Sequence, residues 1–288
     1  MRVLITGAEG QVARALLESP PEEVAVTALS RRELDIADEE QVRRSVRRYA
    51  PDVIINAAAY TAVDRAESES ATAMRVNSEG VRVLSLAALD GNARLLHLST
   101  DFVFDGASSS PYRPESAARP QSVYGLSKRA GEEWVLQILP RNAVVVRTAW
   151  LYSAQGCNFV LTMLRLMAAN RAVRVVADQV GSPTSARSVA QLLWKLVGRP
   201  DIHGIHHWTD AGVASWYDFA VAIAEEAAGL GILKSGVIVT PIATEDYPTA
   251  ARRPAYSVLD RRSLPDLGIA PVHWRKNLRT VIEEIRGA

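Results

Sequence analysis

The sequence contains a single cysteine, Cys157, among its 288 residues. One cysteine excludes a disulfide within the chain and is typical of a reducing compartment. Long apolar runs are also absent, because the apolar residues 1–6 are followed by Gly7 and Glu9. Such a stretch is too short for a signal-peptide core or a membrane span. We therefore predict a cytoplasmic protein that does not enter a membrane.

Lysine is scarce, and an excess of charge of either sign is absent. The 33 basic residues include only four lysines and face 32 acidic residues, so the net charge is +1. Near-neutral charge excludes a broad basic surface, and we predict neither nucleic acid nor a membrane as a partner. With 48% apolar residues, the chain is long enough for one large domain or two unequal ones.

The chain opens on the pattern of a strand, a glycine turn and a helix. Residues 3–6 (VLIT) predict a buried parallel strand, and residues 7–13 have the spacing G-x-x-G-x-x-A before an apolar-periodic helix. Bare backbone amides at a helix N-terminus can bind a pyrophosphate. A purely structural βα turn uses glycine too. The position at the start of the first βαβ unit favours a nucleotide site.

The second predicted strand, residues 24–29, ends in an unusual sequence for an NAD site. NAD-binding folds usually place an acid there, whereas this chain has Ser30-Arg31-Arg32. A hydroxyl followed by guanidinium groups suits the 2′-phosphate of NADP. The alternative is a solvated loop in an arginine-rich sequence. We predict NADPH as the cofactor and leave open whether NADH is accepted as well.

Strands and helices alternate through about residue 150. The third predicted strand, residues 52–56, is followed by Ala57-Ala58-Ala59, where small side chains let a ligand approach the backbone. This alternation predicts a doubly wound, Rossmann-type parallel sheet, with residues 1–150 as the dinucleotide-binding domain. Residues 151–288 are predicted to form mainly a smaller, mixed α/β substrate-binding region. Within it, residues 186–209 are expected to return to the sheet.

A tyrosine and a lysine four residues apart provide the candidate chemistry. Tyr124 and Lys128 share one face of a predicted helix, and the ammonium is expected to bring the phenol pKa toward the working range. Thr100, after the fourth predicted strand, adds a hydroxyl. Together these groups could protonate the carbonyl oxygen of a ketone during its reduction. The alternative is an ordinary exposed helical pair.

Three histidines, His203, His206 and His207, lie close together in the second half and are possible metal ligands. They lie in a predicted strand and have no carboxylate or cysteine set beside them. We therefore predict no metal site from these residues.

Seven segments together resemble the extended short-chain dehydrogenase/reductases and, among them, the dTDP-4-dehydrorhamnose reductases. They are residues 7–13, 56–64, 99–106, 124–128, 147–153, 178–184 and 252–254. These segments follow the family order over nearly the whole chain, which is more specific than any single motif. Ala13, in place of a third glycine, and Phe102, in place of the common tyrosine, are mild departures.

The resemblance implies roles for the matching positions. The catalytic set would be Thr100, Tyr124 and Lys128. The cofactor-binding residues would be Gly7, Gly10, Gln11, Val12, Ser30, Arg31, Asp35, Ile36, Ala57, Ala58, Ala59, Tyr60, Ser99, Tyr124 and Lys128. The substrate-binding residues would be Thr100, Asp101, Val103, Trp150, Asn158, Gln179 and Arg253.

The resemblance also implies a reaction, the NAD(P)H-dependent reduction of dTDP-4-dehydro-6-deoxy-L-mannose at C4. The product, dTDP-L-rhamnose, is a nucleotide sugar for cell-wall polysaccharide. Tyr124 would donate the proton, Lys128 would lower the phenol pKa and hold the nicotinamide ribose, and Thr100 would bind the C4 oxygen. Some members use magnesium at a subunit contact, but no ligands map onto this sequence. A homodimer is compatible with the resemblance.

Two other functions remain open at this point. The chain could be a reductase or epimerase for another nucleotide-linked 4-keto sugar, since the catalytic set would be the same. It could also be a non-catalytic NADP-binding regulatory subunit resembling that of methionine adenosyltransferase. The intact set of Thr100, Tyr124 and Lys128 argues against a purely regulatory role.

Overall fold

A computed structural model describes residues 1–287 of the chain. Six parallel strands form its central sheet. From edge to edge their order is Gly204–His207, Ala143–Thr148, Arg94–Thr100, Val53–Asn56, Arg2–Thr6 and Ala25–Leu29. The doubly wound parallel sheet predicted from the alternating pattern is confirmed.

Helices cover both faces of this sheet, because its strands are apolar on both sides. Helices Gln11–Glu18 and Ala186–Val197 pack on one face, around Ile5, Ile55 and Leu96. Helices on the other face enclose a second core that includes Leu4, Ile54 and Leu95; they are Glu39–Tyr49, Gly80–Asp90 and Val123–Ile138.

The chain leaves the sheet after residue 148 and later returns to it. Strand Gly204–His207 pairs with Ala143–Thr148, with Ile205 opposite Val145. Helix Ala186–Val197 precedes this strand and packs against helix Gln11–Glu18. Residues 186–207 thus lie in the layers of the central sheet although they follow a separate segment.

The rest of the second half is a mixed α/β region. Its helices are Phe159–Ala169, Trp216–Gly229 and Trp274–Gly287, and they share a core with Tyr152 and Phe219. Its strands pair two by two: Leu151–Tyr152 with Thr184–Ser185, Ala172–Val176 with Ile238–Ile242, and Val180–Gly181 with Ala214–Ser215. None of the helices in residues 1–287 is both long and apolar enough to cross a membrane.

The helical segment between residues 63 and 90 is interrupted. Helices Val63–Ala66 and Ser70–Met74 are followed by a π-helical turn, Arg75–Glu79, before helix Gly80–Asp90 begins. In this wide turn the Asn77 side chain accepts a hydrogen bond from the Tyr60 amide (2.8 Å) and donates one to the Tyr60 carbonyl (2.9 Å). The turn therefore holds the backbone that follows strand Val53–Asn56.

Candidate active site

The glycine turn brings two backbone segments unusually close together. Gly7 has φ +73°, and a Cβ there would lie 2.7 Å from the Ala58 Cα. The Gly10 amide donates to the Gly7 carbonyl (2.9 Å), and helix Gln11–Glu18 begins without a side-chain cap. The amides of the first helical turn are thus available to an anionic ligand, as a pyrophosphate requires.

A cavity of about 200 Å³ adjoins this turn. Nine of the predicted cofactor-binding residues line it: Gly7, Gly10, Arg31, Asp35, Ile36, Ala57, Ala58, Ala59 and Tyr60. Small side chains and bare backbone on one wall fit a flat heterocycle and ribose. The lining of this cavity is therefore consistent with a dinucleotide.

Ser30 differs from its predicted arrangement. Its amide and its hydroxyl both donate to the Glu33 carboxylate, at 2.8 and 2.7 Å. The Ser30 amide also holds the pKa of Glu33 below its usual range. Glu33 thus holds the Ser30 hydroxyl that was expected to bind the 2′-phosphate, and this hydroxyl must turn away from Glu33 to do so. The Ser-x-x-Glu spacing of a turn was the available sequence signal.

Three other residues predicted to bind the cofactor have side chains that are engaged elsewhere in the structure, and their role stays a prediction. Val12 is buried in the core, so only its backbone can face a ligand. Ser99 donates to the buried Glu132 carboxylate (2.6 Å). The Gln11 side chain accepts from Ser153 (2.8 Å) and from Asn158 (2.9 Å), which joins the first helix to the second half of the chain.

The predicted catalytic residues come together at the carboxyl edge of the sheet. Thr100 ends its strand, and Tyr124 lies in the first turn of helix Val123–Ile138, whose Gly125 amide is capped by the Ser122 hydroxyl (3.2 Å). A Cβ on Gly125 would lie 2.2 Å from the Phe102 carbonyl oxygen. The helix therefore rests directly on the turn that follows Thr100.

The Tyr124 phenol is held in its protonated form. Loss of hydration raises the pKa of Tyr124 to about 12; the hydrogen bond with Thr100 acts against this shift, and the charge of Asp101 adds to it. The expectation that Lys128 lowers this pKa is therefore not met, because desolvation dominates and the charge that contributes is that of Asp101. A protonated phenol is nevertheless the state that a proton donor needs at neutral pH.

Lys128 lies one helical turn after Tyr124 and is 2% exposed. Its ammonium donates to the Leu98 carbonyl (2.7 Å). Burial lowers the pKa of Lys128 to about 8, while the charge of Glu132 acts in the opposite direction. Glu132 is itself bound by the buried Arg147 guanidinium at 2.7 and 2.8 Å. Sequence analysis had not indicated this ion pair, which joins the catalytic helix to strand Ala143–Thr148.

Asp101, another residue predicted to bind the substrate, contacts Thr100 directly. Its Oδ1 accepts a hydrogen bond from the Thr100 hydroxyl (3.1 Å). Burial raises the pKa of Asp101 to about 6. The Thr100 hydroxyl must therefore rotate away from Asp101 before it can donate to a ketone oxygen.

Three further residues that were predicted to bind the substrate contact other parts of the chain through their side chains. Trp150 has φ +50° and stacks on Trp216, with ring centroids 3.5 Å apart. The Gln179 amide donates to Thr244 (3.0 Å). Arg253 forms an ion pair with Asp64 through both terminal nitrogens, the shorter contact being 2.8 Å. Asp64 follows the cofactor-side segment, and sequence analysis had not indicated this link.

Two other residues predicted to bind the substrate have side chains engaged within the protein, and their role stays a prediction. Val103 is fully buried in a small cluster with Phe104 and Tyr112, so its side chain cannot face a ligand. Asn158 caps helix Phe159–Ala169, and its amide nitrogen already donates to Gln11 and to the Ser153 carbonyl. An asparagine just before an apolar-periodic run is a helix N-cap pattern, which was the missed sequence signal.

No metal site emerges from the part of the chain that the structure describes. Within residues 1–287, no three His, Cys, Asp or Glu side chains form a group that could hold a metal ion. His206 and His207 instead contact backbone carbonyls of Ser263 and Tyr112.

Replacing Gly7 with alanine should weaken NADPH binding at least about tenfold, because the new methyl group collides with the Ala58 backbone. Intrinsic fluorescence titration would measure the affinity. Gly204→Ala is the matched control: Gly204 also has positive φ (+85°), but a Cβ there meets nothing within 4 Å. Equal weakening in both variants would show that backbone strain, and not the collision, is responsible.

The fold and the site together define a class. A doubly wound sheet with a glycine turn, and a Tyr-x-x-x-Lys helix beside a threonine, is the arrangement of the extended short-chain dehydrogenase/reductases. A model of the RmlD substrate binding domain matches residues 1–286. The chain belongs to this family.

Known proteins of similar sequence and structure agree with this assignment. The dTDP-4-dehydrorhamnose reductase of Aggregatibacter actinomycetemcomitans is 42% identical, over 97% of this chain and 98% of the relative. The dTDP-4-keto-6-deoxy-D-glucose reductase of Streptomyces niveus is 40% identical, over 95% and 93%. The structure of dTDP-4-dehydrorhamnose reductase from Bacillus anthracis in complex with NADP superposes with a TM-score of 0.91, at 36% identity over 98% and 99% of the two chains.

Proposed function

We propose that this protein reduces the C4 ketone of dTDP-4-dehydro-6-deoxy-L-mannose, with NADPH, to give dTDP-L-rhamnose. The observation that carries the proposal is the meeting of Thr100, Tyr124 and Lys128 at the sheet edge where the cavity beside Gly7 also lies. The name of the 42% identical relative supports the choice of sugar.

The bound nicotinamide would supply the hydride that adds to C4. The amides following Gly7 and Gly10, together with the alanines after strand Val53–Asn56, would hold the dinucleotide. Tyr124 gives its phenolic proton to the oxygen that develops negative charge. Thr100 turns its hydroxyl from Asp101 to the same oxygen, and the charge on Lys128 stabilises the phenolate that remains.

Absorbance at the nicotinamide band would test this proposal, with enzymatically generated dTDP-4-dehydro-6-deoxy-L-mannose as substrate and either NADPH or NADH as reductant. We expect rapid oxidation that yields dTDP-L-rhamnose, and a comparison of the two reductants gives the preference. No oxidation by a protein that binds NADPH in a titration would contradict the reductase proposal. Recovery of a stoichiometric synthetase partner would then favour the regulatory role.

A second 4-keto sugar is the alternative substrate. The relative from Streptomyces niveus is 40% identical to this chain and is named for dTDP-4-keto-6-deoxy-D-glucose. Two relatives that are about equally similar to this chain are thus named for different sugars. The same assay with that sugar separates the two candidates. Oxidation with it alone would replace the rhamnose assignment but retain the mechanism.

We also propose how the chain is divided. Residues 1–150 and 186–209 would bind the cofactor, and most of 151–288 would bind the nucleotide sugar; the return of Gly204–His207 to the sheet supports this division. A cytoplasmic location and a homodimer complete the proposal. Cell fractionation and light scattering of the purified protein would test these two points.

Reduction should depend on pH through Lys128. We expect kcat/KM to be flat below pH about 8 and to fall about tenfold per unit above it, because only the charged lysine compensates the phenolate. A pH profile of kcat/KM measures this, with NADPH affinity followed over the same range as the control. A profile that stays flat well beyond this pH would exclude Lys128 as the titrating group.

A further inference from the structure

Three polar side chains lie side by side on an otherwise apolar face of the sheet. Thr6 is in register with Asn56, and Asn56 with His97, on the face that helix Val123–Ile138 covers. Paired positions of parallel strands project to the same side. All three side chains are at most 1% exposed. A buried polar row of this kind must be satisfied internally, and its partners define its role.

The positions of the hydrogens in this row follow from one backbone amide. The Asn56 side-chain oxygen accepts from the Ala58 N–H (3.2 Å) and from the Thr6 hydroxyl (2.7 Å). Since an N–H can only donate, the oxygen of Asn56 must point toward these groups. Its nitrogen then faces His97 Nδ1 at 3.0 Å and donates to it.

His97 therefore carries its proton on the other ring nitrogen. Burial, aided by the charge of Lys128, lowers the pKa of His97 well below its ordinary value, so the ring is neutral. With Nδ1 accepting from Asn56, the remaining proton is on Nε2. Nε2 lies 3.5 Å from Lys128 Nζ.

An N–H directed at Nζ favours the neutral amine over the ammonium. An ammonium has only donors, whereas an amine has a lone pair that can accept. The Leu98 carbonyl accepts from Nζ on the other side. Glu132, the acid that favours the ammonium, is already bound by Arg147 and Arg129. Tyr124, the remaining titratable group on this helix face, is an uncharged phenol.

We propose that His97 is a positioning residue whose tautomer, set by Asn56 and Thr6, keeps Lys128 able to exchange its proton near neutral pH. The part that this proton exchange plays in catalysis rests on the proposed function. After Tyr124 has protonated the sugar oxygen, an N–H bond of the Lys128 ammonium breaks and its proton restores the phenol. The amine then takes a proton from water. A lysine of ordinary pKa would release this proton less readily.

The chain suits a direct test, because it has only four lysines and the other three are exposed: Lys195, Lys234 and Lys276. Nuclear magnetic resonance of the whole protein, labelled at lysine and histidine nitrogens, follows each group without any sugar present. We expect Lys128 to titrate near pH 8 and His97 to be protonated on Nε2 alone. A His97 proton on Nδ1, or a Lys128 that titrates like an ordinary lysine, would overturn the proposal.

The substitution Asn56→Asp reverses the direction of the hydrogen bond between residue 56 and His97 while it keeps the shape of the side chain. A carboxylate still accepts from Thr6 and Ala58, but it can no longer donate to His97. The histidine proton should therefore move to Nδ1, leaving Nε2 as an acceptor for the ammonium. We expect the tautomer to switch and the pKa of Lys128 to rise by about one unit or more.

Asn77→Asp controls for the added charge. Asn77 is equally buried and bonds to Tyr60 and Ser127, with no contact to His97. It should leave the His97 tautomer unchanged and shift Lys128 less. An equal shift in both variants would attribute the effect to charge alone and contradict the proposal. If either variant fails to fold, the measurement on the unaltered protein still decides. Neither result depends on which sugar is reduced.

Discussion

Replacement of Tyr124 by phenylalanine is expected to lower kcat for ketone reduction by about 10²- to 10⁴-fold, the contribution of a positioned proton donor. Phenylalanine keeps the ring, which packs edge-on against Phe102 with centroids 5.6 Å apart, and removes only the hydroxyl. NADPH affinity should therefore stay within a few fold. Steady-state kinetics gives kcat, and fluorescence titration gives the affinity.

The matched control for this variant is Tyr49→Phe. Tyr49 ends helix Glu39–Tyr49, away from the catalytic groups, and loses the same atom. Its turnover should equal that of the unaltered protein. Turnover of Tyr124→Phe that also remained at that level would refute the assignment of the proton donor.

Removal of the Glu132 carboxylate, as Glu132→Ala, is expected to cost about 3–5 kcal/mol of unfolding free energy. Arg147 is 1% exposed and would keep its charge in the interior without a counterion. Ser99 would lose its acceptor as well. Urea denaturation at neutral pH measures the loss, with the midpoint and slope compared between proteins.

A double variant separates the penalty of an unpaired charge from the value of the pair. Glu132→Leu combined with Arg147→Met replaces the ions with apolar side chains of similar length. Because the unpaired charge dominates the loss, the double variant should regain most of the stability of the single one. A loss below about 1 kcal/mol in Glu132→Ala would mean that water reaches Arg147.

Local patterns were sufficient to predict the sheet and to place Thr100, Tyr124 and Lys128 at one edge of it. Short apolar runs ended by glycine or small residues mark parallel strands, and the carboxyl ends of those strands necessarily share one edge. Thr100 ends such a strand, while Tyr124 and Lys128 are neighbours on a helix because they are four residues apart. These relations hold within one element or between adjacent elements.

Contacts between distant elements could not be predicted in this way. Asp64 and Arg253 are separated by 189 positions, and nothing local pairs them. Asn56, His97 and Lys128 meet only because the register of two strands and the placement of a helix coincide. The burial of Val103 could not be predicted for a similar reason: the short helical turn Asp101–Val103 directs its side chain inward.

At the π-helical turn Arg75–Glu79, the structure depends on the number of residues as much as on their identity. A π turn contains about one residue more than an α-helical turn, so deleting one residue would restore α-helical register. The deletion would remove the wide turn in which the Asn77 side chain bonds to the Tyr60 backbone. The Asn77 carbonyl also lies against Gly131, where a Cβ would come within 2.2 Å. We therefore expect insertions and deletions in the turn Arg75–Glu79 to disrupt the structure, whereas substitutions of its solvent-facing side chains should be tolerated.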